Sequence, residues 1–144
     1  MNRPINIFVK NVMLGKLITV RGGMQVMSYI DPEDVATAIY SLILLKDDKL
    51  KDVYNIGNGW LGTQKLLDIA KTVIKIGHEE FGYDEVELIV TDDVVYQHAG
   101  LDITRIQNDT GWKPSIDMNN MIRSNDFFSL RALTCTRWTH QDNI

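Results

Sequence analysis

The sequence predicts an α/β fold, a small mixed lobe of short strands and about four helices. Three observations carry this expectation. Runs of β-type residues alternate with runs of helically spaced apolar residues, and most helical runs have a recognisable start or stop residue. The length, 144 residues, is enough for one hydrophobic core but not for a cofactor domain plus a substrate domain.

Taken in order, Leu17-Ile18-Thr19-Val20 and Met27-Ser28-Tyr29-Ile30 read as two strands around the flexible Gly22-Gly23 turn. Asp31-Pro32-Glu33-Asp34 starts a helix: Asp31 caps free amides, Pro32 suits the first turn and the two following acids favour the positive dipole end. Its inward face is expected to hold Val35, Ala38, Ile39, Leu42, Ile43 and Leu45. After the charged Lys46 to Asp52 link, Val53-Tyr54-Asn55-Ile56 reads as a strand ending at Gly57. Thr63 then caps a helix with Leu66, Leu67, Ala70, Val73 and Ile74 inside and Gly77 as its stop. Val86 to Val90 is a further strand, and Thr104 to Thr110 a short helix closed by Gly111, with Pro114 barring continuation. Asp117 caps a last helix carrying Met118, Met121 and Ile122.

Charge and composition exclude several function classes. Fifteen Lys and Arg against nineteen Asp and Glu give a net charge of −4, and no basic run follows a phosphate backbone, so nucleic acid is not expected as a partner. Glu79 to Asp102 holds eight carboxylates and no Lys or Arg, a stretch that repels anions. The apolar run Ile39 to Leu45 is far shorter than the ~20 residues that cross a bilayer, and Met1-Asn2-Arg3-Pro4 opens no signal-peptide core. A soluble, cytoplasmic protein without membrane contact is the expectation. Cys135 stands alone, which leaves no internal disulfide or thiolate cluster, and His78, His98 and His140 are too scattered to suggest a metal site. His78-Glu79-Glu80 lacks the second His one turn away that a zinc site needs, and reads as a solvated helix end. The acids Asp31, Glu33 and Asp34 have two readings, a carboxylate cluster or helix capping.

Gly57-Asn58-Gly59-Trp60-Leu61-Gly62 is a G-x-G-x-x-G, placed after an expected strand and before an expected helix. As a dinucleotide site, Gly57 would make the tight turn, Gly59 would admit the pyrophosphate, Gly62 would allow close helix packing, and the helix amides would meet the phosphate charge. Against this, Asp92 and Asp93 lie well beyond the ~20-residue spacing of a ribose-binding acid, and Trp60 is bulky where backbone must meet phosphate. The plain strand-to-helix turn is the competing reading.

The ordered series Gly22-Gly23-Met24-Gln25, Tyr29 to Ile39, Val53 to Gly59, Leu101 to Arg105 and Thr110-Gly111-Trp112-Lys113-Pro114 resembles the carboxyl-terminal half of extended short-chain dehydrogenase/reductases, the NAD-dependent nucleotide-sugar epimerases and dehydratases. The resemblance covers residues 1–124 as a substrate-binding lobe and leaves 125–144 as a divergent tail. It implies that the Gly57 loop belongs to the substrate lobe. It also implies NAD as the cofactor of the complete family enzyme, held by an amino-terminal glycine loop beside a catalytic Tyr-x-x-x-Lys pair. Neither is in this chain: four residues after Tyr29, Tyr40, Tyr54, Tyr83 and Tyr96 stand Glu33, Leu44, Asn58, Glu87 and Gly100. The implied chain is a nucleotide-sugar-binding lobe with no catalytic residue, inactive alone and binding no cofactor or metal by itself.

The family segment that lies along the nucleotide base reads Gly15-Lys16-Leu17-Ile18-Thr19-Val20-Arg21-Gly22 here. The resemblance therefore implies that backbone groups at Ile18 and Val20 meet the base with Arg21 close by, and that Thr19, and Gln25 and Met27 downstream, also contact the substrate. An ordinary edge strand with an exposed Arg21 is the alternative. Met27 fills the slot where the family supplies an Arg to the diphosphate, and a thioether donates no charge-assisted hydrogen bond. Asp92 and Asp93 occupy the neighbourhood of the second family arginine. Asn55 has two readings, a ligand contact or a brace for the Gly57 turn, and Arg105 a structural role at its helix start. An apolar face left exposed toward the absent cofactor domain is expected to drive self-association or bind a partner chain. Two alternatives stand beside the enzyme lobe: a non-enzymatic interaction module for a reductase-like partner, and a dinucleotide-binding domain built on Gly57, Gly59 and Gly62.

Overall fold

A computed structural model describes residues 3–46, 48–60 and 62–124. The expectations for residues 125–144, Cys135 among them, lie outside this range. The described chain is mixed α/β: α1 (Pro4–Met13), β1 (Ile18–Arg21), β2 (Val26–Ser28), α2 (Pro32–Ile43), β3 (Thr63–Lys65), α3 (Leu66–Phe81), β4 (Leu88–Thr91), α4 (Thr104–Thr110) and α5 (Met118–Arg123). No helix among the described residues is long and apolar enough to cross a membrane.

Helix α1 is additional to the helices expected. Its pattern is nonetheless local: Pro4 opens it, and Ile5, Phe8, Val9 and Val12 are buried at i, i+3, i+4 and i+7. They join Ile18, Val20, Ile69, Ala70, Val73, Ile76, Met118 and Ile122 in the larger of two cores. The smaller core, Ala38, Ile103, Ile106 and Trp112, sits between α2 and α4.

The strands on either side of Gly22-Gly23 do not pair with each other. β1 runs parallel to β4, with Ile18 opposite Leu88, whereas β2 runs antiparallel to β3, with Met27 opposite Gln64. Gly22 (φ 69°) and Gly23 (φ 77°) carry the chain from one sheet to the other, and a side chain at Gly22 would run into the Asp93 carbonyl. β2 also takes a short parallel contact from the later segment: Val26 N–H donates to Gln97 O (2.8 Å) and Ala99 N–H to Val26 O (3.0 Å).

Helix α2 starts as expected, with the Asp31 carboxylate accepting from the Glu33 amide at 2.9 Å and Pro32 in the first turn. Its faces differ from expectation. Ala38 is buried, but Ile39 and Ile43 are 48% and 72% exposed, and Tyr40 and Leu44 lie beside them in solvent. Asp34 is not a cap. It is buried, accepting from Ser115 N–H and Oγ–H (both 2.9 Å) and Ile116 N–H (3.0 Å).

Three further expectations are corrected. Val53 to Ile56 forms no strand, because no second strand lies alongside it, although Tyr54 and Ile56 turn inward and Val53 and Asn55 outward as in one. Thr63 does not cap α3: it lies in β3 and its hydroxyl donates to Trp60 O at 2.8 Å. The first α3 amides are satisfied by backbone instead, Leu66 N–H on Gln25 O (2.9 Å) and Leu67 N–H on Gly23 O (3.1 Å). Gly77 is buried within α3, and the stop is Gly82 (φ 68°), after which Tyr83 N–H returns to Gly77 O at 3.0 Å. His78 Nδ1–H donates to Tyr83 O (2.9 Å) and braces the same turn. The Gly111 stop (φ 75°) and the Asp117 cap, accepting from Asn120 N–H at 2.8 Å, form as expected.

Candidate functional site

The residues singled out along β1 fall into two groups. Ile18 and Val20 send their side chains into the larger core, while Thr19 and Arg21 are exposed. Ile18 N–H donates to Glu87 O (2.8 Å) and Gly22 N–H to Thr91 O (3.1 Å), so the peptide groups of Ile18 and Val20, expected to meet a base, instead face β4. Parallel alternation leaves Thr19 and Arg21 on the open edge.

Arg21 is held by a carboxylate. Its Nε lies 3.1 Å from Asp93 Oδ2 and its Nη2 3.5 Å from Oδ1, and Thr91 Oγ–H donates to Oδ2 at 2.6 Å. The Arg21 guanidinium, with help from Thr91, holds the Asp93 carboxyl below the usual range, and Asp93 in turn raises Arg21. The cation at the mouth of this region is thus already partnered. Gly22, Met24, Val26 and residues 93–98 line a cleft of about 590 Å³ beside the pair, with Tyr96 94% exposed at its rim.

Gln25 is buried behind the turn. Its Nε2–H donates to Arg21 O at 2.7 Å, while its Oε1 has no hydrogen-bond partner among the described residues. Met27 packs, half-buried, on the larger core. Gln25 and Arg21 are therefore brought together, and Met27 contributes apolar surface where the resemblance implies a cation.

The glycine loop does not form a phosphate cradle. No strand leads into Gly57, and Gly62 leads into β3 instead of a helix. The α3 amides that would meet a pyrophosphate are spent on Gln25 O and Gly23 O. The glycines serve packing: a Cβ at Gly57 would press on Leu101 (3.0 Å), one at Gly59 (φ 67°) on Ile103 (3.2 Å), and one at Gly62 into Asn58. From the facing segment, Gly100 makes room for the Trp60 ring, which also lies 5.7 Å from the His98 ring. NAD does not fit the residues present here, and the dinucleotide-domain alternative loses its strand–turn–helix basis.

Asn55 braces this loop, donating from Nδ2 to Asp102 O at 3.0 Å, and Arg105 Nη1 donates to Val53 O at 2.8 Å. A second cleft of about 530 Å³ opens between the loop and α4, with Trp60, Gln64, Asp102, Gln107, Lys113 and Asp117 on its walls. Sequence reasoning missed it, because its walls come from three separated segments whose motifs, among them the Gly57–Gly62 loop and Leu101 to Arg105, say nothing of their meeting in space. Among the described residues no three His, Cys, Asp or Glu side chains are grouped to hold a metal ion.

No protein-family model matches the sequence, and no curated protein matches it. Solved structures do. The PbgP3 protein from Burkholderia pseudomallei superposes with a TM-score of 0.74 at 19% identity, over 94% of this chain and 41% of that one. UDP-glucuronic acid 4-epimerase from Bacillus cereus, in complex with UDP-glucuronic acid and NAD, gives 0.72 at 16% identity, over 90% and 40%. dTDP-glucose 4,6-dehydratase from Bacillus anthracis, in complex with NAD, gives 0.66 at 18% identity, over 95% and 41%. The chain spans about two fifths of each of these proteins. From α1 to α5 it has the fold of one part of the NAD-dependent epimerases and dehydratases to which it is similar.

Proposed function

We propose that the chain is the substrate-binding lobe of an NAD-dependent nucleotide-sugar epimerase or dehydratase, inactive without a cofactor-binding domain. The observation that carries this reading is the cleft lined by Gly22, Met24, Val26 and the 93–98 segment beside the Arg21–Asp93 pair, on a fold shared with part of an epimerase solved with UDP-glucuronic acid and NAD. The Thr19 peptide groups and the Arg21 N–H form the open backbone edge offered to a nucleobase, the Arg21 carbonyl being taken by Gln25 Nε2–H and Gly23 N–H. Met27 and the Arg21–Asp93 pair leave little free positive charge for a diphosphate, so affinity rests on the base and sugar. Without a Tyr-x-x-x-Lys pair the chain moves no proton to or from the sugar.

Thermal unfolding of the full chain with UDP-glucuronic acid, dTDP-glucose and NAD, each added separately, tests this reading. A midpoint raised by a sugar nucleotide but not by NAD is the expected result. A rise with NAD, or with none of the three, overturns it. The exposed apolar flank of α2 favours a second reading, a non-enzymatic module that binds a reductase-like subunit through that flank. On that reading none of the three ligands moves the midpoint.

A further inference from the structure

The cleft between the glycine loop and α4 has walls that are fixed from behind. Thr63 Oγ–H donates to the Trp60 carbonyl (2.8 Å), Asn55 Nδ2–H donates to the Asp102 carbonyl (3.0 Å), and Asp34 accepts from the amides of Ser115 and Ile116 (2.9 and 3.0 Å). Each wall segment is thus positioned by a residue outside the cleft, whose volume of about 530 Å³ is that of a small-molecule site. The polar side chains that converge on it are not used in this way. Gln64 from β3, Gln107 from α4 and Lys113 make no hydrogen bond or ion pair among the described residues, and Asp117 has one carboxylate oxygen engaged, on the Asn120 amide. Among them stands an indole. Trp60 is 55% exposed, and its ring is steadied by Gly100, which leaves room for it, and by the His98 ring at 5.7 Å. Ile103 and Met118, both buried, add apolar surface to the wall.

These features narrow the ligand by elimination. Asp102 and Asp117 outnumber Lys113, so a phosphate or other polyanion is repelled. A wholly apolar molecule would leave two amides and an ammonium covered and unpaired, which is costly. The ligand that suits the cleft carries donors and acceptors around a compact ring and still presents an apolar face to the indole. A pyranose does both: its hydroxyls donate to carboxylate and amide oxygens and accept from amide and ammonium N–H groups, while its axial C–H groups lie against an aromatic ring. We propose that this cleft is a binding site for a neutral mono- or disaccharide, stacked on Trp60 and hydrogen-bonded by Gln64, Gln107, Lys113 and Asp117. It shares no wall residue with the cleft beside Arg21, so the inference does not rest on the nucleotide-sugar reading.

Saturation-transfer NMR and tryptophan fluorescence on the full chain, with glucose, galactose, N-acetylglucosamine, maltose and inorganic phosphate added separately over roughly 1–100 mM, test it. Saturable binding of at least one sugar, and none of phosphate, is the expected result. Gln107→Ala and Lys113→Ala alter side chains without partners in the fold, so each should keep the circular dichroism of the parent and weaken sugar binding about threefold. Trp60→Ala removes the platform and should weaken it about tenfold, read by NMR because the reporter is lost. Three outcomes overturn the proposal: no saturable binding of any sugar, binding of phosphate as tight as that of the sugars, or sugar binding that Gln107→Ala and Lys113→Ala both leave unchanged. Those two variants decide even if Trp60→Ala does not fold. Both should preserve any midpoint shift caused by UDP-glucuronic acid, which separates a failure here from a failure of the nucleotide-sugar reading.

Discussion

Asp34 and Ser115 are joined by two hydrogen bonds, from the Ser115 amide and its hydroxyl to one buried carboxylate oxygen, each 2.9 Å long. The other oxygen takes the Ile116 amide, so one side chain in the first turn of α2 ties down the loop that leads into α5. Asp34→Ala strands three donors and should cost about 3 kcal/mol of unfolding free energy. Asp34→Asn keeps the oxygen that Ser115 uses and sets an amide against Ile116 N–H, so roughly half that loss is expected. Urea denaturation of the two variants checks the order; equal losses would mean that packing, not the hydrogen bonds, sets the effect.

Freeing Arg21 from Asp93 should improve anion binding. In Asp93→Asn the guanidinium keeps a neutral neighbour and its charge becomes available to a sugar nucleotide. The ligand-induced rise in unfolding midpoint should then exceed that of the parent, with little change in the unliganded midpoint because the pair is exposed. A smaller rise than in the parent would show that Asp93 itself contacts the ligand.

Acid should weaken the fold through three carboxylates. Arg123 holds Glu80 below its usual range, Arg21 and then Thr91 do so for Asp93, and Thr104 does so for Asp102. A carboxyl depressed in the folded state stabilises above its unfolded pKa, and that contribution is lost as pH falls through the lower folded value. The midpoint should therefore hold level from neutrality to about pH 5 and fall below about pH 4. In Arg123→Ala the Glu80 share of that fall should vanish, which a melting series against pH would reveal.

Gly100 should be intolerant of the smallest side chain. A methyl there meets the Trp60 ring, so Gly100→Ala should displace the indole and cost about 1–3 kcal/mol. Gly82→Ala meets nothing within 4 Å and should cost only the left-handed backbone strain, about 1–2 kcal/mol. Only the first should shift Trp60 fluorescence, read against Trp60→Phe.

Where local chemistry decides, the fold was legible in the sequence. Asp31-Pro32 opens α2, Gly111 closes α4, and Asp117 opens α5, because each side chain or backbone preference acts on its own neighbours. Thr63 misled because the amides it would cap are met by carbonyls of Gly23 and Gln25, some forty residues earlier in the chain and near only once folded. Ile39 and Ile43 have helical spacing, but spacing does not say whether anything exists for them to pack against. The same holds for Val53 to Ile56, whose pattern is that of a strand without a neighbour. At the site, Arg21 was legible as an exposed cation, whereas its capture by Asp93 depends on β1 lying beside β4. The 530 Å³ cleft draws on the Gly57–Gly62 loop and the Leu101 to Arg105 segment, whose meeting no local pattern announces.

The parallel pairing of Ile18 with Leu88 also orders events in time. β1 precedes its partner strand in the chain, and that partner arrives only after α2, β3 and α3 have been added. Closing so long a loop is slow compared with forming the helices inside it. The α1–α3 packing should therefore gain protection before the β1–β4 ladder, and until β4 docks, β1 is a bare strand open to intermolecular pairing. Pulse-labelled exchange during refolding would show Val9 and Val73 protected ahead of Val90; simultaneous protection would mean that the lobe assembles in a single step.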